Sequence, residues 1–271
     1  MVSFPGAVLP QPGHQITRSL EMSGLAPMSD HLTVNEIYLS VQGESTFAGL
    51  PCVLIRLTGC NLRCSYCDTA YAFRQGRRRT LEDVRAEVRR LAAPYRAVRG
   101  PVSIPVVELT GGEPLLQPGS LPLLEALCDD GFNVLLETSG ALDIAPVDRR
   151  VRRIMDLKCP SSGESSQNRW ENLAHLRATD EVKFVIGTEE DYRWARQVVS
   201  ARRLDEICPL LFSWVSPLEP RQRDPSLKSS PPNQTPVSRR ALAERIIADA
   251  LPVRFQVQLH KVIWPADQRG V

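Results

Sequence analysis

Short apolar runs alternate with segments of helical periodicity from about His31 onward. The apolar runs have the length of buried strands and lie at 52–58, 104–110, 132–138, 153–157, 181–186, 211–215 and 253–258. The clearest helical segment, 80–93, places Leu81, Val84, Val88 and Leu91 on one face. Thr80 and Asp83 form a capping pair at its start. Strands alternating with helices predict a parallel sheet.

The number of these units indicates the fold class. About six βα units are fewer than the eight of a closed barrel, so the pattern predicts an α/β fold, a partial (βα)6-type barrel with parallel strands. Residues 1–30 are rich in Pro, Gly and Ser and are predicted to be a loose N-terminal extension. Residues 31–271 then form the barrel domain, with a mobile surface loop at 220–236.

Composition and charge indicate which partners and which cellular compartment to expect. Hydrophobic residues make up 42% and charged residues 24% of the chain, which is typical of a soluble globular protein. No apolar run approaches the roughly 20 residues of a membrane span, and no signal peptide is evident. The net charge of +2 is too small to indicate a nucleic-acid partner, so the arginine runs at 77–79 and 89–90 are expected to be solvated surface. Seven cysteines without an export signal indicate a reducing cytoplasm.

Cys60, Cys64 and Cys67 form the densest group of potential metal ligands in the sequence. Thiolates are the ligands that iron–sulfur clusters and zinc prefer. A closed zinc site normally needs a fourth ligand and a second Cys or His pair, and the sequence offers none nearby. Three ligands instead leave one metal position for a small molecule. The isolated cysteines are expected to be small buried side chains; they are Cys52, Cys128, Cys159 and Cys208.

Polar residues follow several of the predicted strands. Thr110 is followed by Gly111, Gly112 and Glu113, and two glycines allow a ligand to approach the backbone closely. Taken alone, this could be a plain turn between a strand and a helix. Polar groups also follow later strands, where each could simply end the strand; they include Ser139, Lys158, Ser216, Pro217, Leu218 and Glu219.

The cysteine spacing, with Tyr66 just before the third cysteine, resembles the radical S-adenosylmethionine (SAM) superfamily. The resemblance implies a [4Fe–4S] cluster on Cys60, Cys64 and Cys67, with SAM bound at the open iron and cleaved to a 5′-deoxyadenosyl radical. The residues that would bind SAM are Gly111, Gly112, Glu113, Ser139, Lys158, Ser216, Pro217, Leu218 and Glu219.

Further segments resemble the 7-carboxy-7-deazaguanine synthase family within that superfamily. They are the Gln-Gly-Glu run that begins at Gln42, Arg56 in the first apolar strand, and the closing segment 256–265. The resemblance covers about 34–265 and implies conversion of 6-carboxy-5,6,7,8-tetrahydropterin to 7-carboxy-7-deazaguanine, with loss of ammonia, in queuosine and 7-deazapurine biosynthesis. The implied substrate residues are Val41, Gln42, Gly43, Glu44, Arg56 and Thr110. Amide, carboxylate and guanidinium groups suit the polar edge and carboxylate of a pterin.

The resemblance also implies Mg²⁺ held by Thr69, with Asp68 as a possible helper, an electron donor such as flavodoxin or ferredoxin, and a homodimer. No residue is assigned as acid or base, and His260 and Lys261 are expected to be surface residues near the barrel mouth. Residues 266–271 lie outside the family pattern. Two alternatives stay open: an activase of glycyl-radical enzymes, and a non-enzymatic zinc or electron-transfer protein.

Overall fold

A computed structural model describes residues 30–271 except 96, 99 and 101. The first strand, β1 (His31–Val41), begins where the sequence pattern places the start of the folded part. The predicted N-terminal extension, apart from its last residue, lies outside the described residues. Among the helices that the structure describes, none is both long and apolar enough to cross a bilayer.

One mixed sheet of nine strands organises the described residues, in the order β3-β1-β2-β4-β5-β6-β7-β8-β9. The remaining strands are β2 (Pro51–Leu57), β3 (Arg77–Thr80), β4 (Val106–Gly111), β5 (Val134–Thr138), β6 (Arg152–Asp156), β7 (Glu181–Ile186), β8 (Leu210–Trp214) and β9 (Arg254–Gln256). β2 and β4–β9 run parallel, while β1 pairs antiparallel with β2 and β3. The two edge strands β3 and β9 are not paired with each other, which confirms an open, partial barrel.

The helices lie between some of these strands but not all of them. They are α1 (Leu81–Ala92), α2 (Ser120–Asp129), α3 (Glu189–Arg202), α4 (Arg239–Ala248) and the short α5 (His260–Ile263). α1 starts with a full capping box between Thr80 and Asp83, as predicted. No α-helix joins β5 to β6, and only 3-10 turns lie between β6 and β7. In the part of the chain that the structure describes, four of the six connections between the parallel strands contain an α-helix, which agrees with the prediction of helices between most strands.

Two strands escape the sequence pattern. β1 carries the segment around Tyr38, whose mixed polar and apolar residues did not predict a strand. β3 contains the arginine run 77–79, and its pairing with β1 shows that this surface stretch is also an edge strand. The isolated Cys52, Cys159 and Cys208 are buried as predicted, whereas Cys128 is only partly buried.

The concave face of the sheet is arranged in layers, because side chains on a strand alternate between its two faces. A small apolar cluster forms the lowest layer and includes Cys52, Val106, Leu135, Ile154 and Leu211. The next layer lies two residues further along the same strands, with a residue of β7 added to it. It lines the cavity with Leu54, Glu108, Glu137, Asp156, Lys183 and Ser213. Two residues further again, the cavity is lined by Arg56, Thr110, Ser139, Lys158, Val185 and Val215. The carboxyl ends of the strands thus carry a polar cavity above an apolar base.

Candidate active site

The cavity at the carboxyl end of the sheet has a volume of about 620 Å³, which is the size of a small-molecule site. It brings together most of the residues predicted from sequence. Its walls include Val41, Gln42, Gly43, Glu44, Arg56, Cys60, Cys64, Cys67, Thr69, Thr110, Gly111, Gly112, Ser139, Lys158 and Ser216. Four predicted residues are absent from its walls: Glu113, Pro217, Leu218 and Glu219.

The cysteine loop follows β2 directly and is anchored along its backbone. The Arg63 amide donates to Glu164 Oε1 at 2.7 Å, and the Arg63 carbonyl accepts from Lys228 N at 2.9 Å. The Ser65 amide donates to the Ser162 carbonyl at 3.0 Å, and its hydroxyl donates to the Ser161 carbonyl at 2.6 Å. Because Lys228 lies within 220–236, this segment supports the loop; its mobility stays a prediction.

The three thiols of this loop suit a thiolate-bound metal cluster. All three are free and line the same cavity, and no other cysteine lines it. Burial raises the pKa of Cys60 and Cys64, and raises that of Cys67 to about 12, so metal binding must displace their protons. Among the described residues, no three His, Cys, Asp or Glu side chains are placed to hold a metal ion as they stand. A [4Fe–4S] cluster differs from such a site, because each thiolate would bind a different iron and the three sulfurs need not converge on one ion.

The glycine turn packs against the start of the cysteine loop. Gly111 has φ +151°, and a Cβ at Gly112 would lie 2.0 Å from the Gly59 oxygen and 2.8 Å from Cys60 Cβ. Only glycine allows this approach without displacing the loop. The turn that would bind SAM and the loop that would bind the cluster are therefore fixed to each other.

Glu113 lies behind the cavity wall, with none of its surface exposed. Its carboxyl accepts from the Ser139 amide at 2.8 Å, the Ser139 hydroxyl at 2.6 Å and the Leu115 amide at 3.0 Å. It also accepts from the Thr138 hydroxyl at 2.9 Å and 3.0 Å. The structure thus places Glu113 as a support for the end of β5 and not in the cavity itself.

A buried ion pair stands beside the thiols. Lys158 Nζ lies 2.7 Å from Asp156 Oδ2, and the two side chains are 12% and 9% exposed. Burial alone would lower the pKa of Lys158, but the Asp156 carboxylate and the neighbouring Cys64 raise it well above its usual value. Lys158 therefore brings a permanent positive charge close to Cys60 and Cys64. Asp156 Oδ1 is buried and has no hydrogen-bond partner.

Glu44 and Thr110, two of the predicted substrate residues, belong to a charged network on the cavity floor. Lys183 Nζ bonds to Glu137 and lies 3.4 Å from Glu44 Oε2. The Ser213 hydroxyl donates to the other oxygen of Glu44, and the Thr110 hydroxyl donates to Glu137 at 3.1 Å. Burial opposes the charge on Lys183, but Glu137 and Glu44 raise its pKa well above the ordinary value. The floor therefore holds ionised groups of both signs within reach of a ligand.

Arg56 has protein partners on one side and the cavity on the other. Its Nε donates to Glu36 Oε1 at 2.8 Å, and its Nη2 donates to the Tyr38 hydroxyl at 3.0 Å. The Tyr71 hydroxyl donates to the same Glu36 oxygen at 2.7 Å. An arginine within an apolar strand needs a buried partner, and Glu36 supplies it. The guanidinium is thus fixed at the cavity wall by groups that sequence analysis did not identify.

Asp68 and Thr69, which follow the third cysteine, are tied to the C-terminal segment. Lys261 Nζ lies 2.5 Å from Asp68 Oδ2, and Gln258 Nε2 donates to the same oxygen at 3.0 Å. The Thr69 hydroxyl donates to Asp68 Oδ1 at 2.8 Å. Burial would raise the pKa of Asp68, but Lys261 and the other donors hold it well below its usual range. The side chain of Lys261 is only 6% exposed, so its expected placement as a surface residue is wrong.

Of the predicted SAM residues after β8, only Ser216 lines the cavity, although Val215 and residues 221–225 line it as well. Glu219 instead caps the 3-10 turn Pro220–Gln222 in a reciprocal arrangement with Gln222. Residues 266–271, which lie outside the family pattern, line the mouth of the cavity. Arg269 stacks over the Tyr71 ring at 3.9 Å.

Glu108 and Lys183 were missed in the sequence, and Glu137 and Asp156, although they stand at polar strand ends, were given no role in the site. Each is a charged residue within a predicted strand, which is also the signal at Arg56. Applied to every strand, that signal would have identified the middle layer of the cavity.

Comparisons with known proteins agree with this geometry. A family model described as the Radical SAM superfamily matches residues 54–162. The 7-carboxy-7-deazaguanine synthase of Koribacter versatilis is 40% identical over 89% of this chain and 100% of its own length. The enzyme of the same name from Chlorobaculum tepidum is 41% identical over 89% of this chain and 97% of its length.

Solved structures support the same fold. The crystal structure of QueE from Escherichia coli has a TM-score of 0.62, covers 85% of this chain and 95% of that chain, and is 22% identical. Streptococcus suis SuiB bound to its precursor peptide SuiA has a TM-score of 0.54 at 14% identity, covering 76% of this chain and 48% of SuiB. Because it matches these synthases at 40–41% identity over nearly their whole length, the chain belongs to the 7-carboxy-7-deazaguanine synthase family of the radical SAM superfamily.

Proposed function

We propose that this chain is a radical SAM carbon–nitrogen lyase that converts 6-carboxy-5,6,7,8-tetrahydropterin to 7-carboxy-7-deazaguanine, with release of ammonia. One observation carries the proposal. A single cavity joins the cysteine loop, the glycine turn, a floor that carries carboxylates and an ammonium, and a guanidinium on its wall. Full-length relatives named for this product support the same reaction. The pathway served would be queuosine or 7-deazapurine biosynthesis.

The cofactors would be a [4Fe–4S] cluster on Cys60, Cys64 and Cys67, and SAM. When bound, they supply the electron and the 5′-deoxyadenosyl radical that removes a hydrogen atom from C6 of the pterin. Gly111 and Gly112 would let SAM approach the backbone beside the cysteine loop. They also let the turn pack closely, because a Cβ at Gly111 would collide with the Leu57 backbone and one at Gly112 with the Gly59 backbone. Ser139, Lys158 and Ser216 line the same part of the cavity and would complete the SAM site.

The floor of the cavity would hold the pterin. Glu44 offers carboxylate oxygens to ring N–H groups, and its orientation is fixed by Ser213 and Lys183. Arg56, fixed by Glu36 and Tyr38, would bind the substrate carboxylate. Val41, Gly43 and Thr110 line the cavity next to these groups. The protein thus holds the reacting carbon in one position, which is the main demand of a hydrogen transfer.

The proposal includes Mg²⁺ at Thr69. Mg²⁺ takes few ligands from protein and fills its remaining positions with water and substrate oxygens. Both oxygens of Asp68 are already engaged by Lys261, Gln258 and Thr69, so Thr69 and the substrate carboxylate are the better ligands. An electron donor such as flavodoxin or ferredoxin, a homodimer and a cytoplasmic location complete the proposal, on the strength of the family resemblance.

Anaerobic incubation of the reconstituted protein with SAM, Mg²⁺, a reductant and the carboxytetrahydropterin tests the proposal. The expected result is the deazapurine chromophore, with SAM recovered unchanged at the end of turnover. A Cys64→Ala variant is the matched control and should form no product. Intact substrate, despite a brown protein that cleaves SAM, would exclude this reaction and leave the activase alternative. A colourless protein that contains zinc would exclude the radical class.

A further inference from the structure

Glu108 lies on the cavity floor and is not one of the residues proposed to contact the substrate. It lies on β4, is 3% exposed and lines the cavity between the apolar base and Thr110. Its neighbours in sequence, Val107 and Leu109, are fully buried on the opposite face. A carboxyl group is rarely placed there without a partner, because burial without a hydrogen bond is costly.

The partner of Glu108 is Gln42. The Gln42 carboxamide, 4% exposed, donates through Nε2 to Glu108 Oε2. Its Oε1 accepts from the Glu44 amide at 2.6 Å. The Gln42 backbone is held as well, since its amide donates to the Leu50 carbonyl and its carbonyl accepts from the Gly49 amide, each at 2.8 Å. Both ends of the Gln42 side chain are thus engaged within the protein.

We propose that Glu108 is a positioning residue for the substrate turn, because it holds the Gln42 carboxamide, which in turn holds the Glu44 backbone. The inference rests on the proposed function and deepens it. Gln42 then acts as the link between β4 and the turn, and Glu44 is the group that meets the substrate. Without Glu108, the carboxamide is free to rotate and the Glu44 amide loses its acceptor.

The groups around Glu108 make the charge of the cavity floor sensitive to pH. Burial, followed by the charge of Glu137, raises the pKa of Glu108 to about 8. The charged and titratable groups that face it from the surrounding elements are Tyr38, Glu44, Cys52, Arg56, Glu137 and Lys183. Glu108 is therefore neutral at pH 7 and gains a negative charge above about pH 8. That charge adds to Glu44 and Glu137 on the floor and opposes the binding of an anionic substrate.

Two variants separate positioning from general stability. Glu108→Leu removes the acceptor and should raise KM for the pterin by about tenfold while changing kcat far less, since a positioning contact to the ground state is lost. KM for SAM serves as the internal control and should stay within about twofold of the wild type. Glu108→Gln keeps an acceptor for Gln42 and should lie much closer to the wild type than Glu108→Leu does.

The pH profile gives an independent readout. In the wild type, KM for the pterin should rise above about pH 8, whereas Glu108→Gln should lack this rise because it cannot ionise. Equal pterin KM values for Glu108→Leu and the wild type would overturn the proposal, as would the same alkaline rise in Glu108→Gln. If Glu108→Leu fails to fold, the profile of Glu108→Gln decides alone.

Amide hydrogen exchange tests the link without any substrate. In Glu108→Leu, residues 42–50 should exchange faster than in the wild type, because the Glu44 amide loses its fixed acceptor. Unchanged exchange in this segment would overturn the inference even if the enzyme turns over the pterin. A wild-type protein that does not turn over the pterin would instead refute the proposed function, whatever the exchange result.

Discussion

Replacement of Glu113 by alanine should destabilise the fold more than it weakens a direct contact with SAM. The Glu113 carboxyl is fully buried and accepts from two backbone amides, those of Leu115 and Ser139, and from two hydroxyls. The hydroxyls can rotate towards other acceptors, but the amides cannot. Two buried amides left without acceptors, at 1–3 kcal/mol each, give a loss of about 2–6 kcal/mol.

Urea unfolding of the anaerobically reconstituted protein, followed by tryptophan fluorescence, measures this loss. The midpoint should fall while the slope of the transition stays constant, because the surface exposed on unfolding is the same. Glu113→Gln should lie between alanine and the wild type, since one acceptor oxygen remains. A matched control is Glu206→Ala, which removes an exposed pair with Arg203 and should cost less than about 1 kcal/mol.

The outcome distinguishes two roles for Glu113. Weaker SAM binding in Glu113→Ala is expected only as a consequence of a disordered β5 end, so it should accompany the loss of stability. The reasoning is refuted if Glu113→Ala unfolds at the same urea concentration as the wild type yet binds SAM more than about tenfold more weakly. In that case the carboxyl contacts the cofactor directly.

Three further predictions test other parts of the site and core. Gly112→Ala should lose most of its cluster iron, because the new Cβ would lie 2.0 Å from the Gly59 oxygen, and unchanged iron content and visible absorption would contradict this. Lys261→Met should lower kcat/KM by roughly tenfold or more, because the buried charge of Asp68 loses its counter-ion. Lys261→Arg should retain more of the activity, and equal kcat/KM values for the two variants would contradict this expectation. Burial tends to raise the pKa of Asp180, but hydrogen bonds from Arg153 and Arg177 hold it below its ordinary value. The ionised Asp180 therefore stabilises the fold fully above about pH 4, and this stabilisation is lost as the pH falls. Asp180→Asn should therefore cost about 3–5 kcal/mol at pH 7 and less towards pH 3 in urea unfolding, and a difference independent of pH would argue against this account.

Local sequence patterns predicted most of the parallel strands, because each is a short apolar run followed by polar residues at the site. They failed for β1, whose residues around Tyr38 face both the core and the cavity and so lack a simple alternation. They also failed for β3, since its arginine side chains are largely exposed and only the pairing with β1 identifies the strand.

The site was predicted where a motif marks it and missed where long-range contacts define it. The cysteine triplet and glycine turn are local in sequence, and both line the cavity. Lys183 and Glu137 are 46 residues apart, and their pairing depends on the order of strands in the sheet. Glu113 lies in the glycine motif, from which contact with SAM was predicted, but its carboxyl is turned towards β5, so that contact stays a prediction.

The pairing of Gln258 with Asp68 joins residues that are 190 positions apart. At 5–20 residues per second, a ribosome adds that many residues in about 10–40 s. During this interval Cys60, Cys64 and Cys67 have already been synthesised. The segment that later bonds to Asp68, the residue after Cys67, has not. The thiols are then open to oxidants and to stray metal ions, so faithful maturation depends on the reducing power of the compartment in which translation occurs.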